Sequence, residues 1–157
     1  MKRWILYLIV YAMAAMLGGR LFQGTDVAEL SPVEAVWISA KAGKVEIETD
    51  MGDVGVGSNT AQALENMKAT AQGRVFLETA DYLIVEQGNE GLISQLWEIL
   101  RPTCEVCVSM EKPDMKQAAE FLNTHKPGVD LKRLRYEQTA LPLLKNRGGR
   151  LELVEGG

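Results

Sequence analysis

The first twenty residues constrain this chain most, because they include a segment too apolar for a water-exposed surface. Lys2 and Arg3 precede an uncharged run over residues 4–17, and Arg20 follows it. A short basic start and an apolar run of this length are typical of an export signal, whereas a full membrane span needs roughly 20 residues. No clear small-x-small cleavage site follows. We therefore predict an uncleaved signal anchor, with a cleaved signal peptide and a secreted protein as the alternative.

The rest of the chain is predicted to form one domain outside the cytoplasm. The cationic end of such a segment stays on the cytoplasmic side, so a single-pass anchor within residues 1–20 would hold the domain at the extracytoplasmic face of the cell membrane. Residues 21–32 have the composition of a linker, and residues 33–157 suffice for a single domain with its own core. A third interpretation packs residues 1–20 into the core of a cytoplasmic protein.

Charge is distributed unevenly along the chain. The formal net charge is −4, and it becomes −7 without residues 1–20, so nucleic acid is not expected as a partner. Residues 26–111 hold 15 acids and 5 bases, whereas residues 112–150 hold 4 acids and 9 bases. The cations that could form one basic surface are Lys132, Arg133, Arg135, Lys145, Arg147 and Arg150. Such a surface would face anionic lipid or an acidic partner. We favour an ordinary solvated helix face that complements the domain's own acidic half, because Leu131 and Leu134 interleave the charges.

Hydrophobic periodicity predicts an α+β domain with a mixed sheet opened by a β-hairpin. The hairpin strands are expected at 33–39 and 45–49. A helix should follow, capped by Ser58 or Asn59 and ended by Gly73. Further strands are predicted at 75–77, 82–85, 104–109 and 150–154, and further helices at 92–100, from Pro113 to Leu122, and at 130–137. Three to four helices would thus cover the sheet.

Two sets of residues between the hairpin and the first helix were considered as ligand sites. The glycine-rich segment 52–60 could hold phosphate at a helix N-terminus, but its spacing is neither the Walker nor the dinucleotide pattern. Asp50 and Asp53 would also repel an anion, so we predict a flexible connection whose glycines adopt positive φ. Glu46, Glu48, Asp50 and Asp53 could bind calcium, yet the alternation of the strand explains the two glutamates without a metal.

Cys104, Cys107 and His125 are the remaining reactive side chains. Cys104-x-x-Cys107 lies in a β-favouring run, where residues three apart point to opposite faces, so we predict two buried thiols rather than a redox pair or half of a zinc site. His125 is expected at a helix end, where its ring suits the helix dipole. No catalytic, cofactor-binding or metal-binding residue is assigned, and no cofactor is expected.

Several segments, taken together, resemble the N-terminal domain of the spore-germination receptor C-subunit family. In chain order they are the N-terminal membrane signal, the hairpin at 34–49, the helix with TAQAL at 60–64, GRVF at 73–76 leading into the strand at 82–85, ILRP at 99–102, the strand at 105–108 and the helix at 115–122. The resemblance implies an extracytoplasmic, membrane-tethered, non-enzymatic protein of an assembly that senses germinants. The lipid-attachment cysteine of that family has no counterpart near residue 20, so lipidation is not implied, and no binding residue is transferred.

The sequence therefore predicts a binding or assembly module with a protein partner, and the small-molecule ligand is left open. The alternative is an exported or anchored hydrolase that acts on the cell envelope, which would require two titratable groups converging in a water-filled pocket. The strand at 150–154 reaches the end of the sequence, so the chain is expected to be one module of a longer arrangement or a truncated form. Leu151 and Val154 would then form an apolar edge for a partner.

Overall fold

A computed structural model of the chain describes residues 30–156. Its strands are β1 (Leu30–Pro32), β2 (Ala35–Lys41), β3 (Lys44–Thr49), β4 (Val54–Gly57), β5 (Arg74–Phe76), β6 (Tyr82–Glu86), β7 (Glu105–Ser109), β8 (Leu143–Arg147) and β9 (Arg150–Val154). Its α-helices are α1 (Thr60–Thr70), α2 (Met115–Thr124) and α3 (Leu131–Tyr136), and 3-10 helices cover Leu77–Thr79 and Glu90–Leu96. The predicted membrane segment, residues 4–17, lies outside the described residues. Within residues 30–156, no helix is both long and apolar enough to cross a membrane.

Seven strands form one mixed sheet in the order β4-β3-β2-β6-β7-β8-β9, and β1 pairs with β5 in a separate two-stranded sheet. Strands β2, β6, β7 and β8 are parallel, whereas β3, β4 and β9 run antiparallel to their neighbours. The α+β class, the mixed sheet with its opening hairpin, and the number of helices are thus as predicted from the sequence. Strand β1 falls at the end of the predicted linker.

The sheet is covered on both faces, and each face has its own core. We call these the α1 face and the α2 face. The α1-face core combines strand residues with α1, the second 3-10 helix and α3, and includes Val36, Ile38, Leu83, Val85, Val106, Met67, Ile93, Leu96 and Leu131. The α2-face core includes Trp37, Ile84, Cys107, Leu144, Leu151, Met115, Ala118, Ala119 and Leu122. Because β2 and β6 lie in the centre of the sheet and are covered on both faces, their sequences are continuous apolar runs without alternation.

The hairpin and α1 form where the sequence predicts them. Ala42 and Gly43 have φ of 52° and 73°, which makes a two-residue turn of the kind that matches strand twist, and Ile38 pairs with Ile47 across it. Asn59 caps α1, since its side chain accepts a hydrogen bond from the Gln62 backbone N–H. The helix ends at Thr70, before Gly73.

The glycine-rich segment differs from the prediction, because residues 54–57 form the edge strand β4 instead of a flexible connection. Only Gly52 among these glycines has positive φ, at 87°. Gly55 and Gly57 face α1, and a Cβ on Gly55 would overlap the Ala63 carbonyl oxygen, while one on Gly57 would lie 2.5 Å from the Ala63 nitrogen. The glycines are therefore required by close packing of a helix on a strand.

Two other elements also differ from the prediction. The predicted helix at 92–100 is instead a 3-10 helix that ends at Leu96. Its buried side chains, Ile93 and Leu96, are three residues apart, which fits the three-residue repeat of a 3-10 helix. Strand β8 was not predicted, because Lys145 and its polar neighbours hide its pattern. It pairs with β9 through a turn at Gly148 and Gly149, whose φ values are 61° and 86°.

Candidate functional site

An open cleft of about 920 Å³ lies on the α1 face. One wall comes from the second 3-10 helix, the other from α3 and the segment that follows it, and the floor from β7 and β8. Its apolar lining includes Ile93, Trp97, Val108, Leu134, Leu141 and Leu143. The cleft exists because α3 has only six residues and ends before it can cover the last strands of the sheet.

Charged side chains lie on the rim of this cleft. They are Glu90, Glu137, Glu155 and Lys145. Glu137 Oε2 accepts a hydrogen bond from Arg133 Nε at 2.8 Å, and Glu90 Oε1 accepts one from the Gly88 backbone N–H at 3.0 Å. These two carboxylates are therefore held by their own segments rather than directed at the floor. The apolar floor and the charged rim of the cleft would complement an apolar ligand that carries positive charge at its edges.

The predicted apolar edge at the C-terminus is divided between two environments. Leu151 is 6% exposed and belongs to the α2-face core, whereas Val154 is 38% exposed and lines the cleft. Of this pair, only Val154 is available to a partner. The sequence analysis missed the cleft itself, although the apolar run at 140–144 has no periodicity and could have indicated a non-helical apolar wall.

A row of buried polar residues crosses the α2 face at the carboxyl ends of the parallel strands, where open α/β sheets commonly bind ligands. Ser39, Glu86 and Ser109 are neighbours across β2, β6 and β7. Glu86 is paired with Lys41 Nζ at 2.5 Å and accepts from Asn89 Nδ2 at 3.0 Å. Ser109 Oγ donates to the Glu111 carbonyl at 2.7 Å. Glu86 and Ser109 are thus satisfied by the chain's own groups.

Three of the four carboxylates of the calcium hypothesis are held by partners within the domain. Lys112 Nζ lies 3.1 Å from Glu46 Oε1 and 2.6 Å from Glu48 Oε2. Asp50 Oδ1 accepts from the backbone N–H groups of Glu34 and Ala35 at 3.0 and 3.1 Å. Burial raises the pKa of Asp50 in spite of these bonds. Across residues 30–156, no group of three or more His, Cys, Asp or Glu side chains is arranged to hold a metal ion.

The segment considered for phosphate also satisfies its own amides. The Asn59 carboxamide oxygen takes the Gln62 N–H at 2.9 Å, and Gln62 Oε1 takes the Ser58 N–H at 2.7 Å. The arrangement resembles a capping box, except that Gln62 reaches the N–H of Ser58, the residue before the cap, instead of that of Asn59. Side chains of the same segment therefore occupy two of the amides at the start of α1.

No protein-family model, curated protein or solved structure matches this chain.

The cysteines and the histidine lie as the sequence predicts. Cys104 and Cys107 are free and buried, the first in the α1-face core and the second in the α2-face core. Burial raises the pKa of Cys104 to about 12 and raises that of Cys107 further. His125 is the C-cap of α2, and its ring stacks on Phe121 with centroids 4.4 Å apart.

Both thiols are expected to resist alkylation in the folded protein. At pH 8, a thiol with a pKa of about 12 is thiolate in about one molecule in ten thousand. Labelling should be at least about 100-fold slower than that of a free cysteine, and both thiols should react once the protein is unfolded in guanidinium. Intact-mass measurement with iodoacetamide follows both states. Rapid labelling of either thiol in the native protein would contradict its burial.

Proposed function

We propose that this chain is a membrane-tethered binding or assembly module on the extracytoplasmic side, and that it holds an apolar segment of a partner protein in the cleft. The observation that carries the proposal is the open cleft with its apolar floor. A volume of about 920 Å³ is enough for several side chains, and largely apolar clefts with a few polar groups are the usual form of binding sites.

The rim of the cleft indicates the chemistry of the partner. Three glutamates and one lysine surround the floor, so the rim carries net negative charge. Complementary charge steers association and excludes wrong partners. The expected occupant is a segment whose apolar side chains are flanked by lysine or arginine.

The membrane part of the proposal rests on the sequence. Basic residues followed by the apolar run at 4–17 support a single-pass anchor with the domain outside. The resemblance to the spore-germination receptor C-subunit family extends the proposal to an assembly that senses germinants in spore-forming bacteria. A hydrolase is less well supported, because Glu90 and Glu137 are held by their own segments and do not converge on the floor of the cleft.

Site-specific photocrosslinking in the native cells tests the binding site. A photoreactive phenylalanine analogue is placed at Ser94, an exposed residue of the cleft, and at the exposed Glu120 of α2 as the matched control. The Ser94 position is expected to give one discrete adduct with a membrane protein, and the Glu120 position none. Val154→Arg should remove the adduct, because it places a cation and a long side chain in the cleft. An adduct that persists in this variant, or none at Ser94, would refute the assignment.

Fractionation of the full-length protein tests its location separately. After alkaline carbonate washing, the chain should stay in the membrane pellet at its full mass, and protease added outside intact cells should cleave the domain. A soluble, full-length protein in the cytoplasm would overturn the tether and, with it, the link to germination.

A further inference from the structure

We infer that α3 carries a second binding surface, which lies on anionic phospholipid. The surface consists of Lys132, Arg133, Arg135 and Tyr136, and we call it the α3 patch. The inference rests on the proposed location at a membrane, but it does not depend on the partner in the cleft.

The α3 patch is presented by a firmly held helix. Leu131 is 3% exposed and anchors α3 in the α1-face core. Its N–H donates to the Cys104 carbonyl at 2.9 Å, and that of Lys132 donates to the Pro102 carbonyl at 3.0 Å. The cations on the outer side of the helix are therefore fixed relative to the domain, and they are all exposed.

Aromatic rings accompany these cations. Tyr136 is 77% exposed, which is the largest value among the large apolar side chains of the described residues. The Arg135 guanidinium lies 5.4 Å from the centre of the Trp97 ring, and a shallow depression of about 240 Å³ separates Trp97 from Tyr136. An exposed tyrosine beside lysine and arginine is typical of surfaces that lie at the level of lipid headgroups. Trp97, whose Nε1 is buried, contributes only the ring face beside Arg135.

Two of the three cations of the patch have no ion pair among the described residues. Arg133 pairs with Glu137, one turn away on the same segment. Among residues 30–156, no ion pair joins Lys132 or Arg135 to an acidic group. Lys132 and Arg135 thus lie on the solvated helix face that the sequence predicts, where an external anion can reach them.

The charge of the whole domain favours an orientation in which the α3 patch faces an anionic bilayer. Residues 26–111 carry 15 acids and 5 bases, so most of the domain is repelled by an anionic bilayer. A basic and aromatic patch on such a domain is attracted to that bilayer while the acidic part turns away. This charge complementarity, together with the convex and exposed shape of a short helix, favours a lipid surface over an acidic groove in a protein.

Fluorescence quenching with the full-length chain tests this inference. An environment-sensitive dye is attached to Thr103→Cys, an exposed position next to Pro102 at the edge of the patch, or to Glu120→Cys on α2. Cys104 and Cys107 remain unlabelled because they are buried. The chain is mixed with vesicles of phosphatidylglycerol or phosphatidylcholine that contain a headgroup-level spin label. Quenching at position 103 should be at least about twofold stronger on phosphatidylglycerol, with no such difference at position 120.

Two matched pairs of charge reversals test which cations cause the extra quenching. Lys132→Glu with Arg135→Glu should abolish the extra quenching, whereas Arg147→Glu with Arg150→Glu, the same change of charge in the β8–β9 turn, should keep it. Equal loss in both pairs, or equal quenching on both lipids, would overturn the inference. The amount of chain bound to phosphatidylcholine measures the membrane tether alone. Val154→Arg, which alters the cleft, should leave the quenching unchanged. Failure of the tether or of the cleft can therefore be distinguished from failure of the α3 patch.

Discussion

Replacing Gly55 with alanine is expected to destabilise the domain by about 3 kcal/mol, which is the upper part of the range for overpacking a core. The added Cβ would overlap the Ala63 carbonyl oxygen and would lie 2.6 Å from Met67 Cβ. Neither neighbour can rotate away, because one is helix backbone and the other is the first side-chain carbon of a buried residue. Helix α1 would have to move off β4 and uncover the core beneath it.

The matched control is Gly91→Ala. Gly91 also has a negative φ, and a Cβ there would meet nothing within 4 Å. Its substitution should be neutral or slightly stabilising, because alanine restricts the unfolded chain. Guanidinium unfolding followed by circular dichroism, in the same detergent for all variants, gives both values. If the Gly55 variant unfolds at the same midpoint as the Gly91 variant, the close packing of α1 on β4 is wrong.

Trp37→Ala should cost about 3–5 kcal/mol of unfolding free energy, as is usual for removing a large buried aromatic side chain. Trp37 is 1% exposed on the central strand β2 and belongs to the same core as Ala118 and Leu122 of α2. Small residues on the helix leave room for the indole, so its removal opens a cavity that the helix cannot fill with its own side chains.

Tyr136→Ala is the control for this substitution. Tyr136 is 77% exposed, and its loss should change the unfolding free energy by no more than about 0.5 kcal/mol. Near-ultraviolet circular dichroism of the Trp37 variant should also lose most of its fine structure, since a fixed indole contributes strongly to that signal. A small effect at Trp37 would mean that α2 does not cover this face of the sheet.

Elements specified by neighbouring residues could be predicted from the sequence. The hairpin was predictable because alternation in β3 and the glycine of its turn are local signals, and the helices were predictable from their caps at Asn59 and Asp130. The opposite facing of Cys104 and Cys107 follows from strand geometry alone.

Elements that depend on distant packing could not be predicted. In the sequence, Gly55 and Gly57 have the pattern of loop residues. Their role depends on the short distance between α1 and β4, which the sequence does not give. The cleft is built from residues between Gln87 and Gly156 that meet only because β7, β8 and β9 are neighbours in the sheet. Likewise, Glu46 and Glu48 suggest a cation site until Lys112, far away in sequence, supplies the positive charge.

The separation of the two cysteines also determines how the protein can be made. Cys104 and Cys107 belong to different cores on opposite sides of one sheet, so a bond between them would require the strand to be torn from both. The folded domain therefore keeps two buried thiols and does not depend on an oxidation step that joins them.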